Sequence, residues 1–433
     1  MGISWKHLCL RIPVTVGLLL LGSWTFYHNW LQRTVRFGTY SYTPAEADRM
    51  KRIPAAQYAH GLAAWGRQDT VAAAGFFRQA VSENVLFLDG WLRLAEAEAA
   101  LNRPQSAGNI LAFTLDRSPG VTRWKWPQML LAAELGQQAV VHRLANDLLG
   151  RQVLVADTLQ FLHTYAGGSA ADVAGILAPE HLALYLEWLM TWSMTEESLT
   201  VWRAMAKSVP APKETALQYA HFLLHNRQVA AAAQIWRRQT GTSGLTNPGF
   251  ETDISSRGFD WCYWKGKDDK WELARVGHGA REGRYALQID FSGRENISFH
   301  HLYQIFTVDP HAGYRLTYAW KSRGLTTDQG PFLEIYGFDR EVFYRSGPMM
   351  TGTHDWRTES IDFEPPPGCR AVVVRLSRQP SNRFDAKIGG TLWLDDFRLE
   401  ETTGDSRRSA AEPGAGRVVE EAFKTGDPDS STR

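Results

Sequence analysis

The sequence predicts a multidomain α + β protein: an N-terminal transmembrane helix, an α-solenoid of helix pairs, and then an all-β sandwich. Three observations predict it. Residues 12–31 form an apolar run without Lys, Arg, Asp or Glu. From about residue 45 to 240 the chain is rich in Ala, Leu, Arg, Gln and Trp at helical spacing, and it repeats every 34 residues. From Leu245 to Glu400, alternating runs such as Tyr314-Arg315-Leu316-Thr317-Tyr318 and Val372-Val373-Val374-Arg375-Leu376 are separated by Gly, Pro, Asn and Asp, as in a sandwich.

At 433 residues the chain exceeds one ordinary core. Lys+Arg of 47 against Asp+Glu of 46 leave a formal charge of +1, which gives no global attraction to nucleic acid, and none is expected as a partner. The 17 Trp are unusual and suit large cores or stacking surfaces.

Residues 1–36 read as a membrane anchor. At 1.5 Å per residue the run 12–31 matches the ~30 Å hydrocarbon layer, with Trp24, Tyr27 and Trp30 placed for the interface. A cleaved signal peptide competes, but Gly22-Ser23 leads straight into Trp24 without an Ala-x-Ala-like pair, so an uncleaved span is expected. Lys6 and Arg11 balance Arg33 and Arg36, and flanking charge leaves the orientation open.

In the helical region, residues 45–240, Gly61, Ala73, Phe77 and Ala80 return 34 positions later as Ala95, Ala107, Leu111 and Thr114. Leu186, Ser198 and Trp202 return as Ala220, Ala232 and Trp236. With Trp91, Leu94, Ala95, Ala107 and Pro119 in place, this stretch resembles a tetratricopeptide-repeat protein. Gln68 and Asn102 stand where the glycine of the helix-helix turn is expected, and the register is lost between Leu130 and Leu182. The resemblance implies a groove that holds a partner protein; a plain spacer whose Trp and Phe are core is the alternative.

Gly241-Thr242-Ser243-Gly244 is a linker, and residues 401–433, poor in large apolar side chains, read as a disordered tail. Between them, residues 245–400 open with Asn247-Pro248-Gly249-Phe250-Glu251, continue with Gly258-Phe259-x-Trp261 and close with Trp393-Leu394-Asp395-Asp396-Phe397-x-Leu399. These motifs resemble the carbohydrate-binding-module jelly rolls of families four, nine and twenty-two. The resemblance implies a polysaccharide or oligosaccharide ligand, and a structural Ca²⁺ where the two ends meet, carried by Glu251 and Asp396. The same carboxylates capping turns is the alternative.

Strand phase supplies the candidate glycan contacts. If residues in phase with Leu316, Ile335 and Val374 face the core, then Arg315, Lys321, Glu334, Tyr336, Phe338 and Arg375 face outward. Trp261, Trp264 and Trp271 lie in a loop-rich stretch that could rim the cleft, with burial in the core as the competing reading. Glu334 with Asp339 could be imagined as a glycosidase pair, whereas adjacent Asp395 and Asp396 on a strand diverge. No HExxH, GxSxG, P-loop or supported GxGxxG occurs. Cys9, Cys262 and Cys369 make no metal-ligand spacing; Cys262 and Cys369 read as free buried thiols, although pairing is open outside the cytoplasm.

The expected function is therefore a non-enzymatic scaffold in the bacterial inner membrane, its bulk in the periplasm. It would bind a glycan and a protein in exopolysaccharide assembly or export. The alternatives are a protein adaptor whose jelly roll no longer binds sugar, and an enzyme acting on polysaccharide.

Overall fold

The computed structural model describes residues 52–208, 210–242, 244–264, 270–338 and 342–402. The run 12–31, Cys9, Ser243, Asp339 and the tail beyond Thr402 lie outside the described residues. Among the described residues no helix is long and apolar enough to cross a membrane. The longest have 14 residues, short of the ~20 that a bilayer demands. The expectation of a single-pass inner-membrane protein is corrected accordingly.

By its internal contacts the chain forms two units that divide after Pro210. The first is helical: α1 (Pro54–Gly66), α2 (Thr70–Glu83), α3 (Leu88–Ala100), α4 (Pro104–Arg117), α5 (Thr122–Glu134), α6 (Gln138–Gly150), α7 (Val155–Tyr165), the short α8 (Ala170–Ile176), α9 (Leu182–Thr191) and α10 (Thr195–Ser208). Helix starts follow local chemistry. Pro54 and Pro104 occupy first turns, where no N–H is missed, and Asp69 accepts the Ala72 amide at 3.0 Å to cap α2.

The 34-residue period is written into the backbone. Gln68, Asn102 and Gly136 all take left-handed φ, at 63°, 59° and 68°, each in the turn between paired helices. Gln68 and Asn102 thus hold a backbone conformation that glycine adopts without strain. Beyond Gly136 the spacing breaks at the short α8, and it resumes with Ser193 and Arg227. Small residues mark the helix crossings: a Cβ on Gly61 would stand 2.4 Å from the buried Phe77 ring. Their counterparts Ala95 and Leu111 are buried as well.

The second unit joins the last helix pair, α11 (Lys213–His225) and α12 (Val229–Thr240), to ten strands. These are β1 (Cys262–Tyr263), β2 (Trp271–Val276), β3 (Ala286–Ser292), β4 (Phe299–Thr307), β5 (Gly313–Thr326), β6 (Phe332–Gly337), β7 (Val342–Arg345), β8 (Gly352–Phe363), β9 (Ala371–Arg378) and β10 (Gly389–Thr402). They form two antiparallel five-stranded sheets, one ordered β1-β4-β9-β6-β7 and the other β2-β3-β10-β5-β8. Leu316, Ile335 and Val374 all enter the shared core, so the period-two reading of these strands holds.

The two ends of the β region meet in that core. Phe250, Trp261 and Phe397 form a cluster with ring centroids 4.9 to 6.0 Å apart, and the Phe397 amide donates to the Pro248 carbonyl at 3.0 Å. Trp261 is 1% exposed. Cys262 and Cys369 are free, buried thiols.

The last helix pair docks on loops at one end of the sandwich. The Gly258 amide donates to His221 Nδ1 at 2.9 Å, Trp236 Nε1 donates to the Thr246 hydroxyl at 3.1 Å, and Glu214 pairs with Arg257. Gly258 combines a φ of 54° with close approach: a Cβ there would sit 2.5 Å from the Trp236 indole. Arg227 donates to the Phe338 carbonyl and lies 4.5 Å from the centre of its ring.

Candidate functional site

With Leu333, Ile335, Val372, Val374 and Leu376 turned inward, the alternate residues of β6 and β9 form the outer face of the first sheet. Register then aligns a row across all five strands: Cys262, Tyr303, Arg375, Glu334 and Arg345. Cross-strand neighbours on one face are the pairs that interact in a sheet.

The charges in this row are matched to one another. Arg375 Nη2 donates to Glu334 Oε2 at 2.6 Å, the Ser377 hydroxyl donates to the same oxygen at 2.7 Å, and Arg345 Nε reaches Oε1 at 3.1 Å. Burial pushes the Glu334 carboxyl up, but the hydrogen bonds from Arg375 and Ser377 outweigh it and hold the group below the usual range. Glu334 is therefore a fixed, ionised acceptor at neutral pH.

Aromatic rings surround this row. The Arg375 guanidinium lies 4.9 Å from the Tyr336 ring centre. Trp264, 44% exposed at the β1 edge, has its ring 5.6 Å from His300, 5.2 Å from His301 and 5.7 Å from Tyr303. Burial and the Arg375 charge push the His300 pKa down, and burial with His300 beside it takes His301 to about 4, so both rings are neutral at pH 7. Burial pushes the Cys262 thiol up to about 12 and leaves it unreactive. The face is not open throughout, since Ile305 and Val373 are buried within it.

The structure brings together Trp264, Glu334, Tyr336, Phe338 and Arg375, and it separates Trp261, Trp271, Arg315 and Lys321 from them; Lys321 lies on β5 in the second sheet, and Trp271 on β2 is buried in the core. Trp261 is core, packed between Phe250 and Phe397, rather than a rim residue. Arg315 lies on β5 in the second sheet, where it makes a two-pronged pair with Asp362 at 2.7 and 2.8 Å. Alternation tells which face a side chain takes but not which sheet its strand joins. Tyr303 and His300, the latter read as one of a pair of surface histidines, are not among the contacts expected from the sequence, nor are Arg345 and Ser377, because strand phase alone does not place them beside Glu334.

The residues proposed for Ca²⁺ do not fit the ion. Asp396, left-handed at φ 53°, gives Oδ1 to Arg398 at 2.7 Å and Oδ2 to Arg281 at 3.4 Å, so a guanidinium stands at each oxygen. Glu251 Oε1 accepts the backbone amides of Arg284 and Tyr285 at 2.9 and 3.2 Å. The neighbouring Asp395, fully buried, accepts from the amides of Arg281, Glu282 and Asp396. These are donor groups, whereas Ca²⁺ requires six to eight oxygens. Among the described residues no group of three or more His, Cys, Asp or Glu could hold a metal.

No protein-family model and no curated protein matches the chain. Among solved structures, carbohydrate-binding modules are similar to the β region. TmCBM61, solved in complex with beta-1,4-galactotriose, is 19% identical over 37% of this chain and 99% of that one, with a TM-score of 0.27. A CBM4 structure is 15% identical over 36% of this chain and 99% of that one, with a TM-score of 0.28. The CBM22-1 xylan-binding domain from Paenibacillus barcinonensis Xyn10C is 13% identical over 35% and 90%, with a TM-score of 0.24. At such identities and scores the likeness carries no inference about what this chain binds.

Proposed function

We propose that this protein is a non-catalytic scaffold whose β-sandwich binds a glycan on the outer face of the first sheet. One observation carries the reading: Trp264, Tyr303 and Tyr336 surround a buried carboxylate, Glu334, already neutralised by Arg345 and Arg375. Aromatic faces suit the C–H surfaces of sugar rings, and a fixed array of acceptors and guanidinium donors suits their hydroxyls. A general acid would need a carboxyl pKa raised toward neutrality, and that of Glu334 is moved the other way. The tetratricopeptide-like helices would hold a protein segment in their groove. Their pairing with a glycan-binding sandwich supports a role in exopolysaccharide assembly or export.

The adaptor reading is favoured by one feature, Arg227 lying over Phe338 at the end of the same face. Titration of the full chain with a panel of neutral oligosaccharides separates the two. On the glycan reading, Tyr336→Ala weakens binding by a few-fold to about tenfold and leaves the melting temperature nearly unchanged. Absence of binding by folded wild-type protein, or a large loss of stability in the variant, refutes it.

A further inference from the structure

The outer face of the second sheet carries a cavity of about 440 Å³ that shares only Lys321 with the candidate contacts read from strand phase. Its floor is Trp393 on β10, in register between Gln288 on β3 and Lys321 on β5. The indole N–H donates to Gln288 Oε1 at 2.9 Å, which fixes the plane of the ring. Over that ring stand two cations, Lys321 Nζ at 5.9 Å and the Arg323 guanidinium at 5.5 Å from its centre. Only 7% of Trp393 is exposed, so the cavity offers charge rather than a bare aromatic platform.

The wall is built by β8 and by the loop before β3. Thr353 accepts the Gly324 amide at 2.9 Å, and His354 bonds the Thr351 carbonyl through Nε2 at 2.8 Å, leaving Nδ1 as an acceptor. Trp356 Nε1 donates to the Gly279 carbonyl at 3.1 Å and ties the His278-Gly279 rim to β8. Residues 281–285 of that rim loop hang on Asp395 and Glu251 through four backbone amides. Glu251, one of the two residues expected to hold Ca²⁺, and Asp395 thus position one wall of this cavity.

Charge and size select the ligand. Arg323 makes no ion pair among the described residues, and Lys321 has only the exposed Asp355, 3.7 Å away. The guanidinium and ammonium call for an anion, while Asp355 and His354 Nδ1 beside them call for hydroxyl donors. A phosphate dianion meets the first requirement and is repelled by Asp355. A sugar acid meets both, and the volume lies in the range of small-ligand sites. We propose that this cavity binds a carboxylate-bearing saccharide unit, a hexuronate, with Arg323 and Lys321 on the carboxylate and Asp355 on a ring hydroxyl.

The test is calorimetric titration of the full chain with an oligogalacturonate, a neutral oligosaccharide of equal length, and inorganic phosphate. The oligogalacturonate is expected to bind, more weakly as salt rises, and to lose roughly tenfold in affinity in Arg323→Gln and in Lys321→Gln. Both variants should keep the wild-type melting temperature and any affinity for the neutral sugar. Tyr336→Ala, on the opposite sheet, should leave the oligogalacturonate affinity unchanged, so failure of the first-sheet reading and failure of this one are separable. The proposal is overturned if wild-type protein does not bind the oligogalacturonate, or if folded Arg323→Gln binds it as wild type does. It is equally overturned if phosphate binds as tightly and competes, since the cavity would then be a simple anion site.

Discussion

Protonation of His221 should loosen the last helix pair from the sandwich. Its Nδ1 accepts the Gly258 amide at 2.9 Å, which only the unprotonated nitrogen can do. Burial, the His225 ring at 4.2 Å and the Arg257 charge together lower its pKa from the usual 6.5 to about 4. The neutral ring is therefore favoured in the folded chain, and between those values the unfolded chain binds more protons. The contribution is complete above pH 6.5, declines as the pH falls, and is gone below about 4. The full shift corresponds to roughly 3 kcal/mol at about 1.4 kcal/mol per pKa unit, and solvent screening of this half-buried ring reduces it to about 1–2 kcal/mol. The assay compares melting of the wild-type chain and His221→Asn at pH 7 and pH 4.5, because the Asn Oδ1 can accept the same amide without titrating. The wild type should lose about 1–2 kcal/mol more than the variant over this interval. Parallel pH dependences would refute the reasoning.

Three further outcomes follow from the packing. Trp261→Ala should cost about 3–5 kcal/mol, as expected for a large buried aromatic, against less than about 1 kcal/mol for Trp264→Ala; chemical denaturation distinguishes them, and equal costs would return Trp261 to the rim. Gly61→Val should destabilise the chain by about 1–3 kcal/mol in the same assay, because overpacking against Phe77 exceeds the few tenths gained in helix propensity; an unchanged melt would mean that α1 and α2 can part. A calcium chelator should leave the melting temperature unchanged, since Glu251 and Asp396 are engaged by amides and guanidinium groups; a reproducible fall on chelation would restore the ion.

Much of the architecture is legible in residue order because it rests on short-range periodicity. Leu316, Ile335 and Val374 predict their own inward phase, and the 34-residue spacing marks the same turns that Gln68, Asn102 and Gly136 make in left-handed backbone. Sheet membership is not local. Arg315 and Glu334 each alternate correctly, yet β5 pairs with β10 and β8 while β6 pairs with β9 and β7, so one presumed face becomes two. The grouping of α11 and α12 with the strands is equally hidden. It depends on His221, Arg227 and Trp236, three side chains whose partners lie between Thr246 and Phe338, and composition at the Gly241-to-Gly244 linker says nothing of them.

The acidic residues near the two ends of the β region show why a residue type does not by itself define a site. Glu251 and Asp395 have the charge that a hard cation needs, but five backbone amides already converge on their oxygens. Burial pushes the Asp395 carboxyl up, and the amides of Arg281, Glu282 and Asp396 offset part of that cost by donating to it. Admitting a cation at Asp395 would require the part-buried N–H groups of Arg281, Glu282 and Asp396 to turn away, at a cost of about 1 kcal/mol each. The same hydrogen bonds give the loop before β3 a fixed shape. Gly283, at φ 64°, is part of that fit, since a Cβ there would fall 2.1 Å from Glu251 Oε1. These carboxylates therefore act through the loop they hold, and that loop carries the His278-Gly279 wall of the cationic cavity on the second sheet.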